Sequence, residues 1–128
     1  MKSFEEIKSW QEARNFCNEL FLLLKNKKSF NSDYGLKDQM LRSSGSIMDN
    51  IAEGFGRGGN KEFVQYLFIA RASCYETKSQ LYRAFDRGYL NKEEKESFIN
   101  RIELIAKLIS GLIKYLQGSK STGYKYIY

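Results

Sequence analysis

Apolar residues return at steps of three and four through four stretches of this chain, the period that lines one face of an α-helix. The most regular stretch spans residues 60–87, where Phe63, Leu67, Ala70, Cys74, Thr77, Leu81 and Ala84 follow one another at steps of 4, 3, 4, 3, 4 and 3. Residues 91–118 repeat the pattern with Phe98, Ile102, Ile105, Ile109, Leu112 and Leu116. Both predict helices of almost three heptads, the first stopped by Gly88 and the second by Gly118. Asn91 and Glu94 stand at capping-box spacing before the second. A third pattern, over residues 3–28, carries Trp10, Ala13, Cys17, Leu20 and Leu24. It opens with Ser3 and Glu6, again spaced as a capping box, and closes on Lys25, Lys27 and Lys28, where the helix dipole favours cations.

The remaining pattern, residues 34–55, uses Leu36, Met40, Ile47, Ile51 and Phe55. Its middle, Arg42-Ser-Ser-Gly-Ser46, is small and polar, which weakens helix propensity but admits a neighbouring backbone. Four helices of roughly 35 to 40 Å at 1.5 Å per residue predict an all-α fold. The expected architecture is an antiparallel up-down four-helix bundle over residues 1–118, followed by a flexible C-terminal tail, residues 119–128. Its core is expected to include Trp10, Leu67, Leu81, Ile102, Ile105 and Leu112.

Composition agrees with this reading. Proline is absent from 128 residues, where ordinary usage of about 5% would place roughly six, and a chain of this length builds one core. The only cysteines are Cys17 and Cys74, and no signal-peptide pattern opens the chain, so both thiols read as small core residues in a reducing cytoplasm. The longest apolar run, Leu20 to Leu24, is far too short to cross a membrane. Histidine is missing altogether. That removes Ser-His and Cys-His nucleophiles, imidazole metal sites and the arginine–histidine pairs of helical nucleases, and two distant cysteines make no zinc site unaided. The expectation is a protein that is not an enzyme, with no metal and no cofactor.

One stretch invites a nucleotide reading. Gly54, Gly56, Gly58 and Gly59 fall within six residues, with Arg57 among them and Lys61 beyond. A phosphate-binding loop needs Gly-Lys-Ser/Thr after a buried strand, whereas here Gly59 is followed by Asn60, Lys61 and Glu62, and a helix precedes it. The expected role is a turn, the glycines ending the second helix and Asn60 capping the third. Asn50, Glu53 and Arg57 lie on successive turns, suited either to a polar network at the helix end or to a shared site around a pore.

The formal charge is +6 and the pI about 9.3, a balance that fits a polyanion, although solvated helix faces use the same residues. Arg57 and Lys61 beside the glycines, and Arg83 and Arg87 at the far end of the third helix, are the candidate phosphate contacts. In the tail, Lys120 and Lys125 alternate with Tyr124, Tyr126 and Tyr128, a mixture that stacks on unpaired bases but also occurs in frayed ends. Phe68, Tyr75 and Tyr82, seven apart, make a second aromatic stripe beside the core stripe of the third helix. It either meets a neighbouring subunit or widens the core.

Phe4 to Trp10-x-x-Ala13, Tyr34-Gly35-Leu36-x-x-Gln39-x-x-Arg42, Ser46-Ile47-x-x-Asn50-Ile51-Ala52-Glu53-Gly54, Arg57, Glu62-Phe63 and Gln80-Leu81 together resemble the bacterial four-helix-bundle family of 23S ribosomal RNA intervening-sequence proteins. The resemblance runs from Phe4 to Leu116, with departures at Asp49, Arg71 and Tyr75. Family members are encoded within ribosomal RNA genes or stand alone, and no enzymatic activity is established for them. A protein of similar fold, the accessory protein of diversity-generating retroelements, forms a five-fold ring and binds nucleic acid and a reverse transcriptase. The resemblance implies a homo-oligomer, a pentameric ring that binds RNA or DNA. The aromatic stripe offers Phe68, Tyr75 and Tyr82 for its interface, and the charge balance points to phosphate contacts with little sequence preference. The alternative is a protein-interaction scaffold that binds no nucleic acid.

Overall fold

The computed structural model describes residues 1–118, and the expectations for residues 119–128, including Lys120, Lys125 and Tyr124, Tyr126 and Tyr128, lie outside the described residues. Four α-helices carry the fold: α1 (Lys8–Asn26), α2 (Tyr34–Gly56), α3 (Asn60–Asp86) and α4 (Lys92–Leu116). Single 3-10 turns at Phe4–Glu6 and Lys28–Phe30 precede α1 and α2, and there is no strand among the described residues.

Cross-helix contacts run in opposite order along each neighbouring pair. Along α2 and α3, Gln39 meets Arg83, Ser43 meets Gln80, Ser46 meets Ser73 and Arg57 meets Tyr66. Along α3 and α4, Arg71 reaches Ser110 and Lys78 reaches Glu103. Between α1 and α4, Glu19 pairs with Arg101 and Lys27 with Glu94. Each helix thus packs on two antiparallel neighbours, in a four-helix bundle.

Trp10, Leu67, Leu81, Ile102, Ile105 and Leu112 are all buried, as their spacing predicts. The buried faces are nevertheless broader than the single lines read from sequence. Phe16 is fully buried, so Cys17 next to it is only half-buried and donates its S–H to the Ser44 carbonyl at 3.1 Å. Ile99 and Ile113 fill core positions, while Phe98, Leu116 and Phe55 pack at its margin. Cys74 is buried as expected, and burial pushes its thiol up to about 12. Burial also raises Cys17.

Three boundaries differ from expectation. The Ser3–Glu6 capping box forms, but around the 3-10 turn, because Ile7 takes extended backbone and buries its side chain before α1 starts at Lys8. The cap of α3 is Gly59 rather than Asn60, which is the first helical residue. Gly54 does not end α2: it is buried inside the helix, and only Gly58, at φ 87°, needs a glycine's freedom to turn the chain.

The small, polar middle of α2 stays helical because its side chains find partners on α3. Ser43 Oγ is 2.8 Å from Thr77 Oγ1 and donates to Gln80 Oε1 at 2.6 Å, all three residues being buried. Ser46 and Ser73 hydroxyls lie 2.9 Å apart. Ion pairs and loop bonds close the far end, where α1, α2, α3 and α4 meet around Asp33 and Tyr89.

Candidate nucleic-acid interface

The four cations read from sequence fall at opposite ends of α3. Lys61 and Arg83 are separated by roughly 33 Å of helix at 1.5 Å per residue, so a single subunit presents two sites rather than one patch. At the glycine turn, Arg57 and Lys61 are both exposed. The Arg57 guanidinium lies over the Tyr66 ring, 5.1 Å from its centroid, and donates to the Tyr66 hydroxyl at 2.6 Å. Stacking of this kind holds the side chain while leaving its charge unneutralised. Lys61 lines a shallow depression with Asn60, Val64, Gln65, Leu116 and Gln117.

At the other end, Arg83 is exposed and bonds the neutral Gln39 amide at 3.1 Å. Arg87 is different. Its guanidinium is 2.7 Å from Asp33 Oδ2, an oxygen that also accepts from the Tyr89 hydroxyl at 2.8 Å, while Asp33 Oδ1 caps α2 through the Leu36 amide at 3.2 Å. The Tyr89 hydroxyl, the Leu36 amide and Arg87 together hold the Asp33 carboxyl below its ordinary range, and Asp33 in turn raises Tyr89. Arg87 is thereby committed to joining the loops.

Asn50 and Glu53 line one groove on α2, while Arg57 turns to Tyr66 and is not among its lining residues. The Asn50 amide donates back to the Ser46 carbonyl at 2.8 Å and to the Ser46 hydroxyl at 2.9 Å, continuing the polar seam toward Ser73. Glu53 is exposed in a groove along the α2 surface with Arg42, Ser46 and Asp49, and it makes no ion pair with the described residues.

Phe68, Tyr75 and Tyr82 are 42%, 59% and 45% exposed, so they do not widen the core of the single chain. Sequence reasoning missed what stands beside them. The Arg71 guanidinium is 4.9 Å from the centroid of Phe68, Lys78 follows Tyr75 by one turn and pairs with Glu103, and Lys95 of α4 lies 5.7 Å from Tyr82 and 4.4 Å from Phe85. The spacing of three from Phe68 to Arg71 and from Tyr75 to Lys78 was visible along α3. The contribution of Lys95 was not, because it depends on how α4 packs.

No helix among the described residues is long and apolar enough to cross a membrane. The family model described as 23S rRNA-intervening sequence protein matches residues 5–111. A crystal structure of a protein of unknown function from the S23 ribosomal protein family of Bacteroides thetaiotaomicron is similar at a TM-score of 0.77 and 27% identity, over 83% of this chain and 98% of that one. It is among five solved chains that match. No curated protein matches.

Proposed function

This chain belongs to the 23S rRNA-intervening sequence protein family, and from that premise we propose that it is a non-enzymatic module that binds RNA or DNA through phosphate contacts, with little sequence preference. The observation that carries the reading is that Arg57, Lys61 and Arg83 are exposed and have no carboxylate partner among the described residues, in a chain of formal charge +6. Their charge remains available to a polyanion. The missing histidine supports a role without catalysis.

The working form is proposed to be a ring of five copies, as the resemblance implies. Aliphatic side chains exposed elsewhere, Leu22, Ile69 and Leu104, suit contact between copies. They suit it better than Phe68, Tyr75 and Tyr82, whose flanking cations would have to be desolvated by a second copy. Repetition of weak cationic sites around a ring would raise their joint affinity. The cytoplasm remains the proposed location, on the cysteine reading alone.

Filter binding to mixed-sequence RNA and DNA across a salt series tests the function. Removing a phosphate contact should flatten the log–log salt slope by about 0.7 to 0.9. Replacing Arg57, Lys61 and Arg83 by Glu should therefore weaken binding and flatten the slope without altering helical content. Absence of binding at low salt would leave the protein-scaffold reading. Sedimentation equilibrium at micromolar concentration should give several times 15.0 kDa, and a monomer would remove the ring.

A further inference from the structure

We propose that the α3–α4 face is a stacking platform for an unpaired polynucleotide strand, with Phe68, Tyr75 and Tyr82 taking bases and Arg71, Lys95 and Lys107 taking the strand's phosphates. This rests on the nucleic-acid reading above and narrows it to a substrate class and a surface.

The three rings stand on alternate turns of one helix, about 10.5 Å apart at 1.5 Å per residue. All three are solvent-exposed, Tyr75 most of all. Each has a cation within one turn or across the groove: Arg71 at Phe68, Lys78 after Tyr75 and Lys95 at Tyr82. Lys107 completes the row from α4. Glu103 meets Lys78 and Ser110 meets Arg71, so Lys107, one turn after Glu103 and one turn before Ser110, stands on the same exposed edge of α4 at the level of Tyr75. It is exposed and has no carboxylate partner among the described residues. Glu103, on the α4 side of this row, is neutralised by Lys78.

Aromatic faces interleaved with cations recognise a chain whose bases are open and whose phosphates lie alongside. A duplex offers no such faces, since each base is covered by its neighbours in the stack. A second protein copy would have to strip water from Arg71, Lys95 and Lys107 to cover the rings, whereas phosphates lying alongside meet those cations at the solvent edge. The row therefore favours a single strand over either.

The test compares a fluorescent 20-nucleotide oligouridylate, which cannot pair with itself, with a 20-base-pair RNA duplex. Fluorescence anisotropy is measured for the natural chain and for the variant Phe68→Ala, Tyr75→Ala, Tyr82→Ala, and each protein is also examined by sedimentation velocity. The natural chain should bind the oligouridylate more tightly than the duplex. Removing the rings should lower oligouridylate affinity by roughly tenfold or more while leaving duplex binding and sedimentation unchanged. Equal loss on both nucleic acids, or no loss on the oligouridylate, overturns the platform but leaves phosphate binding intact. A smaller sedimentation coefficient for the variant identifies the stripe as a contact between copies and also overturns it. If the natural chain binds neither probe at low salt, the nucleic-acid reading itself falls. Should the triple variant melt, Tyr75→Ala alone, at the most exposed ring, carries the same comparison, with Tyr75→Trp expected to retain binding.

Discussion

A Cβ atom placed on Gly54 would lie 2.6 Å from the Cβ of Tyr66, and 3.0 Å from the Phe63 ring. The second helix therefore touches the third through bare backbone at this point, and Arg57, one turn on, is delivered to the Tyr66 ring. Gly54→Ala should destabilise the protein although alanine is the better helix former. Overpacking costs about 1 to 3 kcal/mol, against roughly 1 kcal/mol gained in propensity. Gly45 in the same helix has nothing within 4 Å of its would-be Cβ, so Gly45→Ala should raise the melting temperature. Paired thermal melts decide this: equal shifts for both variants would show that the close approach does not govern the interface.

The Ser43–Gln80 bond predicts a measurable coupling. Ser43→Ala leaves the buried Gln80 Oε1 without its donor, at a cost of about 1 to 3 kcal/mol. Adding Gln80→Leu should recover part of that loss, because the stranded acceptor goes too. A double-mutant cycle in urea should show coupling above about 0.5 kcal/mol. Simple additivity would mean the seam contributes shape alone.

Asp33 sets an acid limit on stability. Its folded carboxyl titrates below its unfolded value, so its contribution is present above the ordinary carboxylate range near 4 and is lost as pH falls through the lower folded value. Glu6, held by the Lys2 and Ser3 amides, acts in the same direction. So does Glu94, where the Lys27 and Asn91 bonds outweigh burial. Tyr89 has the opposite sense: raised by Asp33, it loses its contribution as pH climbs past about 10. Urea midpoints for Asp33→Asn should fall less steeply between pH 5 and pH 2 than those of the natural chain. Parallel curves would show that Asp33 is not a principal titrating group.

Arg87 and Arg57 should separate stability from binding. Arg87→Ala breaks the Asp33 junction and is expected to lower the melting temperature with little change in the salt slope of nucleic-acid binding. Arg57→Ala removes an exposed stacking interaction worth about 0.5 to 1 kcal/mol and should flatten the slope by about one phosphate's share. Melts and salt series on the two single variants provide the comparison. A flattened slope for Arg87→Ala would return it to the phosphate-binding set.

Ile105→Asp places an unpaired charge in the centre of the bundle, where Ile105 is 1% exposed. The cooperative unfolding transition should disappear. A variant melting within a few degrees of the natural chain would mean that α4 buries a different face.

The helices, their order and most of their inward faces could be read from residue order alone, because helical period is a local property and the steps from Phe63 to Ala84 and from Ile102 to Leu112 have one geometric solution. What that order leaves open is everything decided across a helix pair. Phe16 rather than Cys17 is buried because α1 has neighbours on two sides. Gly54 reads as a helix end until Tyr66 is found against it, and a cation's availability depends on a partner distant in sequence. Arg87 and Arg83 look alike along α3, yet Asp33, more than fifty residues earlier, neutralises one while Gln39 leaves the other charged. Phe68, Tyr75 and Tyr82 are a stripe by spacing alone. They become a row of rings set among cations only when α4 packs alongside and brings Lys95 to Tyr82 and Lys107 to the level of Tyr75, since side-chain surroundings are fixed by packing and packing is not local.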